Sequence, residues 1–274
     1  MNRHAGSKSV SIPADERLIF ALDVNDQAEA KTLVHELKRD VKFFKIGLEL
    51  FLVGGLPLVR EISDQGARVF LDLKFLDVPE TVYRSLKVIE TVITAGSEKS
   101  VFATIHAFNE AFDLLRAGLD PRLKVLVVTL LTSKGEPPLL SPGIQMDVMD
   151  FVKASARRAV EMGCAGVVCS GLEAFELKKT FGKDFLVVTP GIRPSGVIVK
   201  NDDQKRIVTP REAIMNGADY IVVGRPIRDN PSPVEAAQAI QREITEALQA
   251  NLELESKQGA NSRSKIESSR VRVG

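Results

Sequence analysis

The stretch from Arg68 to Val82, RVFLDLKFLDVPETV, carries three charged side chains where an apolar strand gives way to the predicted beginning of a helix. Asp72 and Lys74 are two residues apart, so a regular strand would point both side chains the same way. Asp77 follows three residues after Lys74. Charges at the end of a buried strand must be paired or functional, because burying a lone charge is costly. A plain ion pair would explain two of them. Three charges of alternating sign favour an active site built on an ammonium group between carboxylates.

A second lone cation, Lys45, lies in FFKIG, another predicted strand. If the two strands are neighbours, Lys45 can reach Asp72. The four charges Lys45, Asp72, Lys74 and Asp77 would then form an alternating array. Taken alone, Lys45 is equally well explained as a lysine whose ammonium extends to solvent at the end of its strand.

The elements that must position these charges alternate regularly along the chain. Apolar segments predict strands at residues 18–23, 43–47, 101–106, 124–131, 166–170, 185–190 and 220–224, besides the opening stretch. Helical spacing of apolar residues follows each strand, at residues 25–39, 49–64, 79–94, 109–117, 146–162, 172–180, 210–216 and 231–249. Eight strand–helix repeats predict an α/β fold, a single (β/α)8 TIM barrel spanning residues 16–250. A doubly wound open sheet is the alternative.

The remaining segments and the composition set limits on function. Residues 1–15 are predicted to be a flexible leader without the apolar core of a signal peptide. Residues 251–274 are predicted to be a disordered tail, the alternative being a basic interaction tail. The net charge of +1 gives no reason to expect nucleic acid as a partner, and no apolar run is long enough to span a membrane. Two cysteines and three histidines form no zinc-type ligand pattern. A cytoplasmic enzyme is the expectation.

Two loops near the end of the barrel predict a phosphate site. Barrel enzymes place their chemistry at the carboxyl ends of the strands and often hold phosphate between the loops after strands seven and eight. TPGIRPSG follows the seventh strand and VVGRPI includes the end of the eighth. Gly191 and Gly224 would let the backbone approach the phosphate, while Arg193 and Arg225 would donate charge-assisted hydrogen bonds. Gln204 could add an amide donor. Ordinary turn glycines and solvated arginines are the alternative interpretation. A long loop, residues 132–145, is a candidate lid.

Together these motifs resemble the orotidine 5′-phosphate decarboxylase family. The resemblance rests on ALD, KIG, DLKFLDVPETV, TPGIRP, DQKRIVTP and GADYIVVGRPI, in family order from about Leu18 to the final helix. Leu76 departs from the pattern, since the family more often has His there, but it replaces no charged residue. The resemblance implies a homodimeric barrel that converts orotidine 5′-monophosphate to UMP and carbon dioxide without a metal or an organic cofactor.

The resemblance also implies catalytic roles. Lys74 would be the proton donor, and Asp72 would lie beside it at the substrate carboxylate. Lys45 would orient the array and touch the ribose. Asp77 and Thr81 would reach across into the active site of the partner subunit.

Further residues would bind the substrate. Asp23 would contact the ribose or the base, and Thr132 would lie beside the pyrimidine. The phosphate would be held by Arg193, Gln204, Gly224 and Arg225.

Two other functions fit parts of the pattern. A magnesium-dependent sugar-phosphate decarboxylase or aldolase of the same superfamily shares the DxKxxD spacing, but holds its metal with an acidic residue on the second strand. Lys45 occupies that position here and would repel a cation. A non-catalytic phosphate-binding barrel would bind the ligand without turnover.

Overall fold

The computed structural model describes residues 12–94, 99–107, 118–131, 146–197 and 202–270. Eight parallel strands close into a barrel in sequence order, which confirms the (β/α)8 prediction and excludes an open doubly wound sheet. The strands are β1 (Leu18–Ala21), β2 (Phe43–Gly47), β3 (Arg68–Phe75), β4 (Val101–His106), β5 (Leu123–Val128), β6 (Gly166–Val168), β7 (Leu186–Thr189) and β8 (Tyr220–Val223).

The described helices surround the barrel. A short 3-10 helix, Ala14–Glu16, precedes β1, and the α-helices are α1 (Gln27–Leu37), α2 (Leu48–Asp64), α3 (Pro79–Thr94), α4 (Val148–Glu161), α5 (Ala174–Phe181), α6 (Pro210–Met215), α7 (Arg225–Arg228) and α8 (Pro233–Arg270). Most begin within three residues of their predicted positions. The helix predicted at 109–117 and the candidate lid at 132–145 lie outside the described residues.

Helix ends follow local sequence signals. Asp26 caps α1 by accepting a hydrogen bond from the backbone N–H of Ala28 at 3.0 Å. Thr209 and Glu212 form a reciprocal capping box at the start of α6. The last helix does not end near Gln249 as the periodicity predicts. α8 continues to Arg270, into the segment predicted to be a disordered tail. Residues such as Ala, Leu, Glu and Lys just beyond Gln249 have high helix propensity and let the helix extend without an apolar face.

The core has two layers, one between the strands and the helices and one inside the barrel. The inner layer contains an aromatic cluster of Phe43, Phe70, Phe102 and Tyr220, whose rings meet mostly edge to face. The guanidinium of Arg68 lies 4.3 Å from the centroid of the Phe43 ring. This packed layer closes the barrel below the carboxyl ends of the strands.

Candidate active site

The inward-facing positions of three strands place polar groups directly above the aromatic layer. Side chains alternate along a strand, so the residue two positions after an inward phenylalanine also points inward. Lys45 follows Phe43 in this way, Asp72 follows Phe70, and Thr104 follows Phe102. Asp23 stands two residues after Ala21, another member of the inner layer. The same alternation that builds the apolar core therefore delivers the charges to the mouth of the barrel.

Four charged groups form a continuous chain of contacts at this mouth. The ammonium nitrogen of Lys45 lies 2.9 Å from Oδ1 of Asp23 and 3.5 Å from Oδ2 of Asp72. The ammonium nitrogen of Lys74 lies 2.8 Å from the same Oδ2. The predicted contact between Lys45 and Asp72 is therefore present. The order of charges is Asp23, Lys45, Asp72, Lys74, and we refer to these four residues as the charge array.

The two central members of the array are the most buried. Side-chain exposure is 11% for Lys45 and 13% for Asp72, against 37% for Lys74. Burial alone would lower the pKa of Lys45, but the charges of Asp72 and Asp23 outweigh it and raise that pKa. Burial would raise the pKa of Asp72, but Lys45 and Lys74 outweigh it and the pKa is lowered. Both groups are therefore charged at neutral pH, each stabilised by its neighbours.

The backbone at Lys74 departs from a regular strand. The pairing of β3 with β4 shifts register between Leu71 and Phe75, and Lys74 has a φ of 51°. It is the one non-glycine residue with positive φ in the described ranges. Such a conformation costs on the order of 1–3 kcal/mol and is typically found at functional sites. The sequence spacing suggested that simple alternation along a regular strand brings Lys74 to Asp72. The structure shows that it does not. A bulge in the strand aims the lysine.

Among the described residues of one chain, Asp77 forms no ion pair with the charge array. It lies on the exposed segment between β3 and α3, and its carboxylate accepts a hydrogen bond from the backbone N–H of Val78 at 2.6 Å. Thr81 lies in the first turn of α3. Within the described part of a single chain, Asp23 is the fourth member of the array, but it extends the array beyond Lys45, whereas the sequence placed Asp77 beyond Lys74.

A cavity of about 230 Å³ opens above the array. It is lined by Ala21, Asp23, Lys45, Phe70, Asp72, Lys74, Val128, Leu130, Leu131, Val168, Pro190, Gly191, Arg193, Gln204, Val222, Gly224 and Arg225. Every predicted substrate-binding residue is in this lining except Thr81 and Thr132, and Thr132 lies outside the described residues. The cavity has charged groups at two sides and an apolar base, a combination suited to a small polar ligand with an anionic group.

The lining of the same cavity also carries two arginines, one after β7 and one after β8. Arg193 forms a two-pronged ion pair with Asp202, with donor–acceptor distances of 2.7 and 2.6 Å. Arg225 contacts the same carboxylate at 3.1 Å and also pairs with Asp203. Hydrogen bonds from Arg193 lower the pKa of Asp202, and those from Arg225 lower the pKa of Asp203. We refer to these four residues as the arginine cluster.

The loop that supplies the two aspartates is fastened to the barrel. Arg206 forms a buried ion pair with Glu173, and Ser170 donates a hydrogen bond to the carbonyl of Arg206 at 3.3 Å. Gln204 lies between this anchor and the arginines, and its buried Oε1 has no hydrogen-bond partner among the described residues. At the end of β7, Gly191 has a φ of 75°, a conformation that favours glycine.

Some residues of this site were not singled out from the sequence. Thr104 hydrogen-bonds to both Asp72 and Lys74, and its inward position could have been inferred from alternation with Phe102. The pairing of Asp202 and Asp203 with the arginines depends on the course of a loop, for which the sequence holds no periodic signal. His106 ends β4 near the array, where burial, and secondly the charge of Lys74, lower its pKa.

No group of three or more His, Cys, Asp and Glu side chains in the described ranges could hold a metal ion. Likewise, none of the helices described is long and apolar enough to cross a membrane.

Comparison with known proteins gives one consistent result. Residues 16–240 match the model of the family described as orotidine 5′-phosphate decarboxylase / HUMPS. The chain is 48% identical over 244 residues to the orotidine 5′-phosphate decarboxylase of Methylococcus capsulatus, covering 87% of this chain and 96% of that protein. It is 47% identical over 240 residues to the enzyme of the same name from Desulfosudis oleivorans, covering 84% and 94%.

A solved structure is similar as well. The crystal structure of orotidine 5′-phosphate decarboxylase from Lactobacillus acidophilus superposes with a TM-score of 0.67 at 33% sequence identity. The match covers 84% of this chain and 99% of the solved one. The resemblance drawn from the sequence motifs is confirmed.

Proposed function

The chain belongs to the orotidine 5′-phosphate decarboxylase / HUMPS family and is a carboxy-lyase, and we propose that it converts orotidine 5′-monophosphate to UMP and carbon dioxide in pyrimidine biosynthesis, without a metal or an organic cofactor. The observation that carries the proposal is a single cavity lined both by the charge array and by two arginines. The substrate has a matching arrangement, with a carboxylate on the pyrimidine and a phosphate at the other end of the ribose.

Lys74 is the proton donor in this proposal. Breaking the bond between the pyrimidine ring and its carboxylate leaves the electron pair on a ring carbon that has no adjacent electron sink. The Lys74 ammonium stabilises that developing negative charge and then transfers a proton to the carbon, forming the new C–H bond. Solvent returns the proton to Lys74 in the next cycle. Its contact with Asp72 fixes the ammonium at the edge of the cavity before the substrate arrives.

Asp72 and Lys45 set the electrostatics around that step. The lowered pKa of Asp72 keeps its carboxylate charged, so it would repel the substrate carboxylate, and the repulsion eases as carbon dioxide leaves. Lys45 bridges Asp72 and Asp23 through its ammonium group and would reach the ribose. Thr132 would lie beside the pyrimidine, and Asp23 would contact the ribose or the base.

The arginine cluster would bind the phosphate. Arg193 and Arg225 present guanidinium groups that suit bidentate contacts with phosphate oxygens. Gln204 would add an amide donor, and the Gly224–Arg225 turn would approach the phosphate through its backbone. Binding energy released at this distant group can be used to organise the reacting end of the cavity.

Lys45 also argues against the magnesium-dependent alternative. Its ammonium lies between the carboxylates of Asp23 and Asp72, at 2.9 and 3.5 Å, in the place where a cation bridging them would sit. A positive charge there repels a divalent metal. The array therefore supplies its own cation.

A direct assay tests the proposed reaction. Purified protein treated with EDTA should consume orotidine 5′-monophosphate at the same rate as untreated protein. The loss of substrate absorbance measures that rate. Activity that disappears on chelation and returns with magnesium would support the metal-dependent alternative. Binding of UMP without any turnover would support a phosphate-binding barrel that is not an enzyme.

We propose further that two copies of the chain form a homodimer in which Asp77 and Thr81 complete the partner's site. Asp77 stands between Leu76 and Val78, two apolar side chains that are 59% and 62% exposed. Leu48 and Leu52, at the start of the helix that follows the neighbouring strand, are 58% and 77% exposed. Exposed apolar side chains that follow two neighbouring strands suit a protein–protein interface. A cytoplasmic location remains our expectation for the enzyme.

Mixing two inactive variants tests the shared site. Lys74→Ala and Asp77→Ala chains should each be nearly inactive. After subunit exchange, each mixed dimer has one site with both groups intact, so activity should rise towards about a quarter of the wild-type value. The control is each variant carried through the same exchange alone, which should gain nothing. No recovery in the mixture, with exchange verified by tagged subunits, would contradict a shared site.

A further inference from the structure

The strained backbone at Lys74 needs a support that the charge array itself does not supply. Its φ of 51° lies in a region that L-residues seldom adopt, and it falls where the pairing of β3 with β4 is interrupted. The ion pair with Asp72 restrains only the end of a long, flexible side chain. A second restraint on the backbone is required to keep the lysine aimed into the cavity.

Thr104 provides a restraint of this kind from the neighbouring strand. It lies inside the barrel on β4 with no solvent exposure. Its Oγ1 accepts a hydrogen bond from the backbone N–H of Lys74 at 2.8 Å. The same hydroxyl donates to Oδ1 of Asp72 at 3.1 Å. A carboxylate can only accept and a backbone N–H can only donate, so the direction of both hydrogen bonds is fixed.

These contacts close a ring through both ends of the lysine. The backbone N–H of Lys74 binds the Thr104 hydroxyl, the hydroxyl binds Oδ1 of Asp72, and Oδ2 of Asp72 binds the Lys74 ammonium. One hydroxyl group thus holds the backbone of the proton donor and the carboxylate that orients its side chain. The hydrogen bond from Thr104 also contributes to the lowered pKa of Asp72.

We propose that Thr104 is a positioning residue for decarboxylation: its hydroxyl holds the bulge of β3 in the conformation that places the Lys74 ammonium against Asp72. The inference rests on the proposed function, because it concerns the same proton transfer. Loss of the hydroxyl would leave a buried N–H and a carboxylate oxygen without their partner, and the lysine would lose its fixed direction.

The test compares four variants of the full-length protein. Thr104→Val removes the hydroxyl at nearly constant volume, Thr104→Ala removes it with more space, and Thr104→Ser retains it. Thr189→Val is the matched control, since Thr189 is also fully buried on a barrel strand but its hydroxyl has no hydrogen-bond partner among the described residues. The measurements are kcat for orotidine 5′-monophosphate, the dissociation constant of UMP, and the melting temperature.

We expect kcat to fall about 10- to 100-fold in Thr104→Val and Thr104→Ala, as for loss of a hydrogen bond to a charged group. The dissociation constant of UMP should change by less than about threefold, because product binding does not need the aimed ammonium. Thr104→Ser and Thr189→Val should keep kcat close to wild type. A purely structural role for Thr104 would lower the melting temperature without this separation of kcat from UMP binding.

The outcomes separate this inference from the proposed function. Wild-type protein that does not consume orotidine 5′-monophosphate would defeat the proposed function itself. Active wild-type protein together with an equally active Thr104→Val would overturn only the positioning role. An equal loss in Thr189→Val would overturn it too. If neither Thr104→Val nor Thr104→Ala folds, Thr104→Ser tests the proposal, because it retains the hydroxyl. A fall of its kcat by more than about tenfold would contradict the positioning role of that hydroxyl.

Discussion

The charge array and the two arginines of the arginine cluster line one cavity, but the two regions are built in different ways. Most of the array stands on strands, with Lys45 on β2 and Asp72 and Lys74 on the neighbouring strand β3. The arginine cluster stands on loops, where Arg193 and Arg225 follow different strands and meet at Asp202. The array is held by the sheet of the barrel, whereas the cluster is held mainly by ion pairs between its own side chains.

This difference in construction matches a proposed difference in role, since the array serves the reaction and the arginine cluster serves ligand binding. In the array each inner charge already lies between two opposite charges, so substrate can enter without breaking a contact. In the cluster the carboxylates of Asp202 and Asp203 occupy the guanidinium groups that a phosphate would use. Binding of an anion there requires an exchange of partners. Carboxylates in the array should therefore support the reaction, while an exposed carboxylate in the cluster should compete with the ligand.

Among changes to the charge array that leave Lys74 in place, Asp72→Asn should have the largest effect. It leaves Lys45 and Lys74 on either side of a neutral amide and removes the carboxylate that orients the proton donor. We expect kcat to fall by roughly 10²- to 10³-fold, measured below the melting temperature of the variant. Asp26→Asn is the control, because asparagine caps a helix as well as aspartate does. A kcat within threefold of wild type would place the chemistry elsewhere.

Arg225→Ala should have the next largest effect, and the effect should be on substrate binding rather than on kcat. Loss of charge-assisted hydrogen bonds to the phosphate should raise KM by about 10- to 100-fold. Steady-state kinetics at several salt concentrations would measure it, with Arg211→Ala, an exposed position on α6, as the control. An unchanged KM would show that the phosphate does not bind at the arginine cluster.

Asp203→Asn should have a small effect of the opposite sign. Asp203 is 64% exposed and pairs with Arg225, so its removal frees a guanidinium group at little structural cost. We expect KM to fall by up to about fivefold at low ionic strength, in line with the weakness of exposed ion pairs. The gain should disappear at high salt. An increase in KM instead would mean that Asp203 orients Arg225 rather than competing with the phosphate.

The charge array and the strands that carry it were largely predictable from the sequence. Buried apolar runs located the strands to within a few residues, and parallel neighbours bring Lys45 beside Asp72. The bulge at Lys74 was not predictable, because the spacing of Asp72 and Lys74 also fits a regular strand. Thr104 was missed since a lone threonine in an apolar strand is usually a packing residue. Alternation with Phe102 gave its direction but not its partners.

The arginine cluster was predictable only in part. The glycines and arginines of TPGIRP and VVGRPI identified the cluster, since their types suit a phosphate. Their ion pairs with Asp202 and Asp203 join residues 9 to 23 positions apart, through a loop with no periodic pattern. The position of Asp77 also depends on more than local sequence. Its spacing suggested a place in the array next to Lys74, but in the single chain its carboxylate accepts a hydrogen bond from the backbone of Val78, and the fourth member of the array is Asp23, beside Lys45.

The most direct test of the account is turnover by Lys74→Ala beside its affinity for UMP. Removal of the ammonium should lower kcat on the order of 10⁴-fold or more, because proton donation and charge stabilisation are lost together. UMP should still bind within about threefold of wild type, since the arginine cluster is intact. Lys31→Ala, which removes a lysine from an exposed surface pair, is the control. Near wild-type turnover by Lys74→Ala would contradict the assignment of the proton donor.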